Sequence, residues 1–144
     1  MKQPNRLPYD PETYTIPITF SSSDPGDLQT LYFGMVGSPM MTTPGNFKIY
    51  FPTKGRITKI MLSTYSNLGA GTAEDISVYF RLNNTTEWLV QLVALATGTR
   101  EYINRNLNIP VTTADYGEMK MVCPTWGTNP TGMRGGGYIY VEVP

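Results

Sequence analysis

The chain has 144 residues, 11 lysines and arginines against 11 aspartates and glutamates, one cysteine and no histidine. Zero formal net charge and a charged fraction of only 15% leave no electrostatic footprint for nucleic acid and no basic face for an anionic membrane. The lack of histidine excludes Cys–His and Ser–His–Asp catalysis and most zinc sites. The length suits one domain with one core. No apolar run approaches the roughly 20 residues of a membrane span, and the start, Met1-Lys2-Gln3-Pro4-Asn5-Arg6, has no apolar signal core. A soluble, unprocessed protein made in the cytoplasm is the expectation. Cys123 has no partner for an intramolecular disulfide and sits among Met121, Val122 and Pro124, which predicts a buried, inert thiol.

Residues 1–27 hold Pro4, Pro8, Pro11, Pro17 and Pro25, each of which removes a backbone donor, so neither a helix nor a central strand fits. Within them residues 13–20 alternate, with Tyr14, Ile16, Ile18 and Phe20 on one side. That pattern predicts an edge strand, or a strand added to a neighbour, in an extended N-terminal arm. The turn at residues 24–27 carries Asp24 and Asp27, but nothing nearby completes a calcium shell. A strand is expected around Leu31-Tyr32-Phe33, then a long loop over 34–46 whose Met40-Met41 pair fills a core gap or offers an adaptable contact.

Residues 47–51 alternate briefly, and 56–65 form a strand that is partly apolar on both faces. After a glycine-rich loop at 67–72 comes the clearest strand, 75–82, with Ile76, Val78, Phe80 and Leu82 facing one way and Ser77, Tyr79 and Arg81 the other. Residues 83–86 make a hairpin connection. The run 87–95 is apolar on both phases, and Asn84 with Glu87 imitates a helix capping box, but its length and hairpin context favour a strand. Segments 100–111, 118–123 and 138–143 complete the series, the last with Ile139, Val141 and Val143 inward. Gly135-Gly136-Gly137 lacks the lysine of a phosphate loop and reads as a flexible turn. About eight strands without a convincing helix predict an all-β, antiparallel β-sandwich or jelly roll. The expected division is an arm at 1–27 and a head at 28–144.

Glu74, Asp75, Glu101 and Glu118 are the carboxylates to consider for glycoside hydrolysis, which needs two of them across a cleft. They lie at a loop junction or alternate with apolar neighbours and read as solvated sheet-face groups. No catalytic residue, metal or cofactor is therefore expected. Asn83-Asn84-Thr85-Thr86 contains two glycosylation acceptor patterns, which without a secretory signal mark only a polar hairpin tip. The 10 tyrosines, together with tryptophan, asparagine, threonine and glycine, compose a surface suited to sugars or to another protein.

The run from Ile109-Pro110-Val111 through Asp115-Tyr116-Gly117-Glu118-Met119-Lys120 and Pro124-Thr125-Trp126-Gly127-Thr128-Asn129-Pro130 to Gly137-Tyr138-Ile139-Tyr140-Val141-Glu142 follows an Ile57-Thr58-Lys59-Ile60 strand. Over residues 55–144 this pattern resembles the jelly-roll heads of tailed-bacteriophage fibre and capsid-accessory proteins. The resemblance implies a trimeric, tumour-necrosis-factor-like architecture without catalytic residues. It also implies a place on the virion, at the capsid exterior, as a decoration that stabilises the shell or as a receptor-binding tip. No fibre shaft precedes the head, which favours a capsid decoration protein; the alternative is a receptor- or glycan-binding head. The expected partners are a major capsid protein and further copies of the chain as a homotrimer, or a cell-surface glycan. Tyr9, Tyr14, Ile16, Ile18 and Phe20 are then the candidates for arm docking on the capsid. Trp88, Trp126, Tyr138 and Tyr140 are the candidates for subunit contacts.

Overall fold

A computed structural model describes residues 12–35, 39–66, 74–94 and 98–144, excepting the side chains of Ser22 and Ala94. Among the described residues ten strands follow in chain order: β1 (Glu12–Ser23), β2 (Thr30–Phe33), β3 (Ile49–Tyr50), β4 (Gly55–Ser66), β5 (Asp75–Leu82), β6 (Thr86–Ala94), β7 (Gly98–Asn104), β8 (Ile109–Val111), β9 (Tyr116–Val122) and β10 (Met133–Val143). They form two five-stranded antiparallel sheets. Sheet A runs β1-β10-β4-β7 with β8 beside β4, and sheet B runs β2-β9-β5-β6 with β3 beside β9. Taking β2 with β3, and β7 with β8, as interrupted single strands leaves eight strands crossing between two sheets, the jelly-roll arrangement.

Alternation places the core between the sheets. Ile76, Val78 and Phe80 of β5, Met119 and Met121 of β9, and Ile139 and Val141 of β10 are all fully buried. The β5–β6 hairpin turns through Asn83 and Asn84 with φ of 53° and 58°, and Thr85 N–H donates to the Leu82 carbonyl at 3.1 Å. Two left-handed residues match the twist of the flanking strands, and asparagine tolerates that region better than most side chains. This geometry commits residues 86–94 to a strand and overrides the helix-like capping pattern.

Both open sides of the sandwich are stitched together. On one, Thr19 of β1 donates its N–H to the Gly34 carbonyl at 2.9 Å, and Tyr32 and Met41 exchange backbone bonds at 2.7 and 3.0 Å. On the other, Ile103 N–H of β7 donates to Gln91 Oε1 of β6 at 2.9 Å, and Asn104 Nδ2 donates to the Leu89 carbonyl at 3.0 Å. The buried Tyr102 adds a bond from its hydroxyl to the Val93 carbonyl at 3.3 Å. On the β6–β7 side, side chains thus occupy edge groups that would otherwise invite strand addition.

Several expectations change in detail. Gly135-Gly136-Gly137 is no turn; it lies in the middle of β10, paired on both sides. The methionine pair divides, Met40 being buried and Met41 exposed. Cys123 is buried, and desolvation pushes its thiol pKa up to about 12. Asp24 Oδ1 accepts the Gly132 N–H at 2.8 Å and Asp27 Oδ1 the Trp126 N–H at 2.9 Å, so both carboxylates tie the 124–132 segment down.

Candidate functional site

Three of the residues expected to dock an arm on a capsid, Ile16, Ile18 and Phe20, lie inside this molecule. β1 pairs with β10 from Glu12↔Val143 to Phe20↔Gly135, and Ile16, Ile18 and Phe20 are 4%, 1% and 1% exposed. The Phe20 ring meets Phe33 of the opposite sheet at 4.8 Å. Tyr14 packs against the same core and donates its hydroxyl to the Thr53 carbonyl at 2.9 Å. The spacing does give an edge strand, but its apolar side belongs to the chain's own core, so Ile16, Ile18 and Phe20 are not available to a partner and Tyr14 is half-covered. Residues 12–23 therefore belong to the head and not to an arm. Tyr9 lies outside the described residues.

The residues expected at subunit contacts separate into two pairs. Trp126 is buried, its indole N–H donating to the Gly26 carbonyl at 3.1 Å, and Trp88 turns inward, its ring 6.2 Å from Phe80. Both serve the fold, because the 124–132 segment and β6 deliver them to the interior. Tyr138 and Tyr140 stand on the outer face of sheet A, their rings 6.4 Å apart, with Tyr138 exposed and Lys59 Nζ 3.9 Å from the Tyr140 ring centroid.

The outer face of sheet B ends in an apolar patch on β6, the strand whose sequence is apolar on both phases. Leu89 and Leu92 point outward from the edge strand β6 at 46% and 50% exposure. Register places Leu92 beside Ser77 and Val122, and Leu89 beside Tyr79 and Lys120. The sequence signal was present, since β6 is apolar on both phases and only one phase can enter the core.

Beside this patch lies a charged network. Arg81 Nε is 3.0 Å from Glu87 Oε1, Lys120 Nζ is 2.9 Å from the same oxygen, and Arg81 Nη1 is 4.0 Å from Glu118 Oε1. Glu118 is not the solvated carboxylate expected. It is 3% exposed, and the Gly45 N–H donates to its two oxygens at 2.9 and 3.1 Å. Its carboxylate holds the loop before β3 against the sheet. Burial raises its pKa, an effect only partly offset by the Gly45 and Phe47 N–H groups and by Arg81 and Lys48.

A pH dependence follows with a definite sign. A raised native pKa means that the folded chain holds this proton more tightly than the unfolded chain. Glu118 therefore contributes stability that is complete below its ordinary value of 4.5 and is lost as pH rises through the raised value. Asp115 works in the opposite sense: bonds from Asn83 and Thr112 lower its pKa, so its contribution is complete above 3.8 and is lost as pH falls through the lowered value. Melting temperature measured against pH should fall on the alkaline side of the carboxylate range, and Glu118→Gln should flatten that slope while leaving the acid limb in place. An unchanged slope in the variant contradicts the assignment.

The candidate acids are not brought together. Glu101 is exposed on the outer face of sheet A, opposite Ser63, whereas Glu118 lies on the outer side of sheet B with the core between them. Glu74 accepts the Gly127 N–H at a loop junction. Glu101 and Glu118 cannot flank one glycosidic bond. Among the described residues, no group of three or more acidic or cysteine side chains is placed to hold a metal ion.

No family model matches the chain, and no curated protein matches it. Among solved structures, that of infectious bursal disease virus Gx strain is similar over 99% of this chain at 13% identity with a TM-score of 0.48. This chain spans only 36% of that one. The crystal structure of FLHE is similar over 91% of this chain and 96% of its own, at 10% identity and a TM-score of 0.44. Neither likeness reaches the level at which a role can be carried over.

Proposed function

We propose that the protein is a non-enzymatic virion structural protein of a tailed phage. In this reading it is a capsid decoration that sits on the shell exterior as a homotrimer and contacts the major capsid protein. The observation that carries the reading is the Leu89–Leu92 patch on a sandwich whose sides are already closed. A rigid jelly roll with its edges stitched does not need those side chains for its own core, and two outward leucines on an edge strand are best covered by another protein surface. The resemblance of residues 55–144 to phage head and fibre modules points the same way. Subunits placed across joints between capsid proteins bury surface in the assembled state alone, and so stabilise the shell by mass action.

Light scattering on a sizing column should return three times the 16.0 kDa chain mass. Leu89→Asp with Leu92→Asp should return the single-chain mass with the fold intact, because exposed substitutions usually change stability by no more than about 0.5 kcal/mol each. A wild-type chain running at its own mass sinks the trimer. The second reading, a glycan-binding head, is favoured by the opposite face of the sandwich.

A further inference from the structure

The outward positions of sheet A fall into rows across the strands. One row is Pro17, Tyr138, Met61 and Ile103; the next is Thr19, Gly136, Ser63 and Glu101; the third holds Arg134, Tyr65 and Thr99. The middle row is small and polar between two rows that carry aromatic rings. Gly136 at its centre has no packing reason to be glycine, since an added Cβ would meet only the Ile18 carbonyl oxygen, at 3.7 Å. Its neighbours differ: a Cβ at Gly135 would come within 2.6 Å of the Phe20 ring, and one at Gly137 within 1.9 Å of the Met61 carbonyl. Glycine inside a strand weakens it and often marks a bulge, a bend, or a close approach by a ligand or another backbone; Gly136 pairs regularly on both sides, which leaves the close approach.

The hollow beside this row has a volume of about 400 Å³ and is lined by Thr19, Ser63, Tyr65, Thr99 and Arg134. The Arg134 guanidinium stacks 4.4 Å from the Tyr65 ring centroid. Thr19 Oγ1 donates to the Gly135 carbonyl at 3.2 Å, so this lining hydroxyl keeps its accepting capacity. At about 3.4 Å per residue, Arg134 and Tyr138 stand roughly 14 Å apart along β10, room for a six-membered sugar ring between their side chains. Hydroxyls that both donate and accept, one carboxylate that accepts, one guanidinium that donates, and tyrosine faces for C–H stacking match a polyol with an apolar ring face. A polyanion would meet Glu101, and a purely apolar ligand would strip water from the floor.

We propose that this groove binds a neutral oligosaccharide, with Thr19, Ser63 and Glu101 as floor and Tyr65, Arg134 and Tyr138 as walls. The site deepens the glycan-binding reading and is independent of the trimer, because it lies on the face opposite Leu89 and Leu92. The test is an amide-resolved NMR titration of the whole chain with maltotriose, lactose and chitotriose. At least one probe should shift the amides of Thr19, Ser63, Tyr65, Glu101 and Gly136 and leave those of β6 unmoved. Gly136→Leu fills the groove and should abolish the shifts with no fall in melting temperature; should it fail to fold, Tyr65→Ala is read in its place. No shift with any of the three probes overturns the proposal, as do shifts that survive both substitutions. A change in oligomer mass caused by Gly136→Leu also overturns it, since the groove would then be a subunit contact.

Discussion

Ile16→Asp with Ile18→Asp should leave no folded protein, and so should removal of residues 1–20. Both isoleucines are at most 4% exposed and pair through β1 with the centre of β10. A buried unpaired carboxylate costs several kcal/mol even after its pKa adjusts, and two of them consume most of a typical domain stability of about 5–15 kcal/mol. Thr15→Asp with Thr19→Asp, on the exposed phase of the same strand, should fold. A chain that begins at Glu12 keeps every described strand and should fold as well. Circular dichroism with a thermal melt separates these outcomes. A cooperative melt for the Ile16/Ile18 variant would return β1 to the role of a detachable arm.

Glu118→Ala should be far more damaging than Glu101→Ala, although the two glutamates look alike in the sequence. Alanine at 118 strips the half-buried Gly45 and Phe47 N–H groups of their acceptor and takes one of two carboxylates from Arg81, which keeps Glu87. Each orphaned N–H costs about 1–3 kcal/mol, so a loss on the order of 2–4 kcal/mol is expected. Glu101 is exposed, and its removal should stay within about 0.5 kcal/mol. Urea denaturation midpoints of the two variants measure the difference, and equal midpoints contradict the buried role of Glu118.

These two predictions mark where the sequence was legible and where it was not. Period-two alternation identified β5, β10 and the inward side of β1 correctly, because a pleated strand half-buried on one face leaves that record. It could not say whose core the apolar side enters, and so Ile16, Ile18 and Phe20 were expected on a partner. Glu118 was misread for a related reason. Its burial comes from the loop before β3, about 70 residues away in sequence, and no local pattern records that contact. Three successive glycines carry no alternation and so read as a turn; only pairing with β1 and β4 shows the run to be strand. For the candidate surfaces, the doubly apolar β6 was visible, but which leucines face outward required the bulge opposite Val78 and Tyr79 that sets its register.

The proposed role is tested most directly by co-sedimentation of the purified chain with DNA-free capsids of the virus that encodes it, read on a density gradient. Wild-type protein should travel with the capsids in multiples of three copies. Leu89→Asp with Leu92→Asp should remain at the top of the gradient as a folded single chain. Wild-type protein that stays folded, forms its trimer and never enters the capsid fraction would contradict the proposed role.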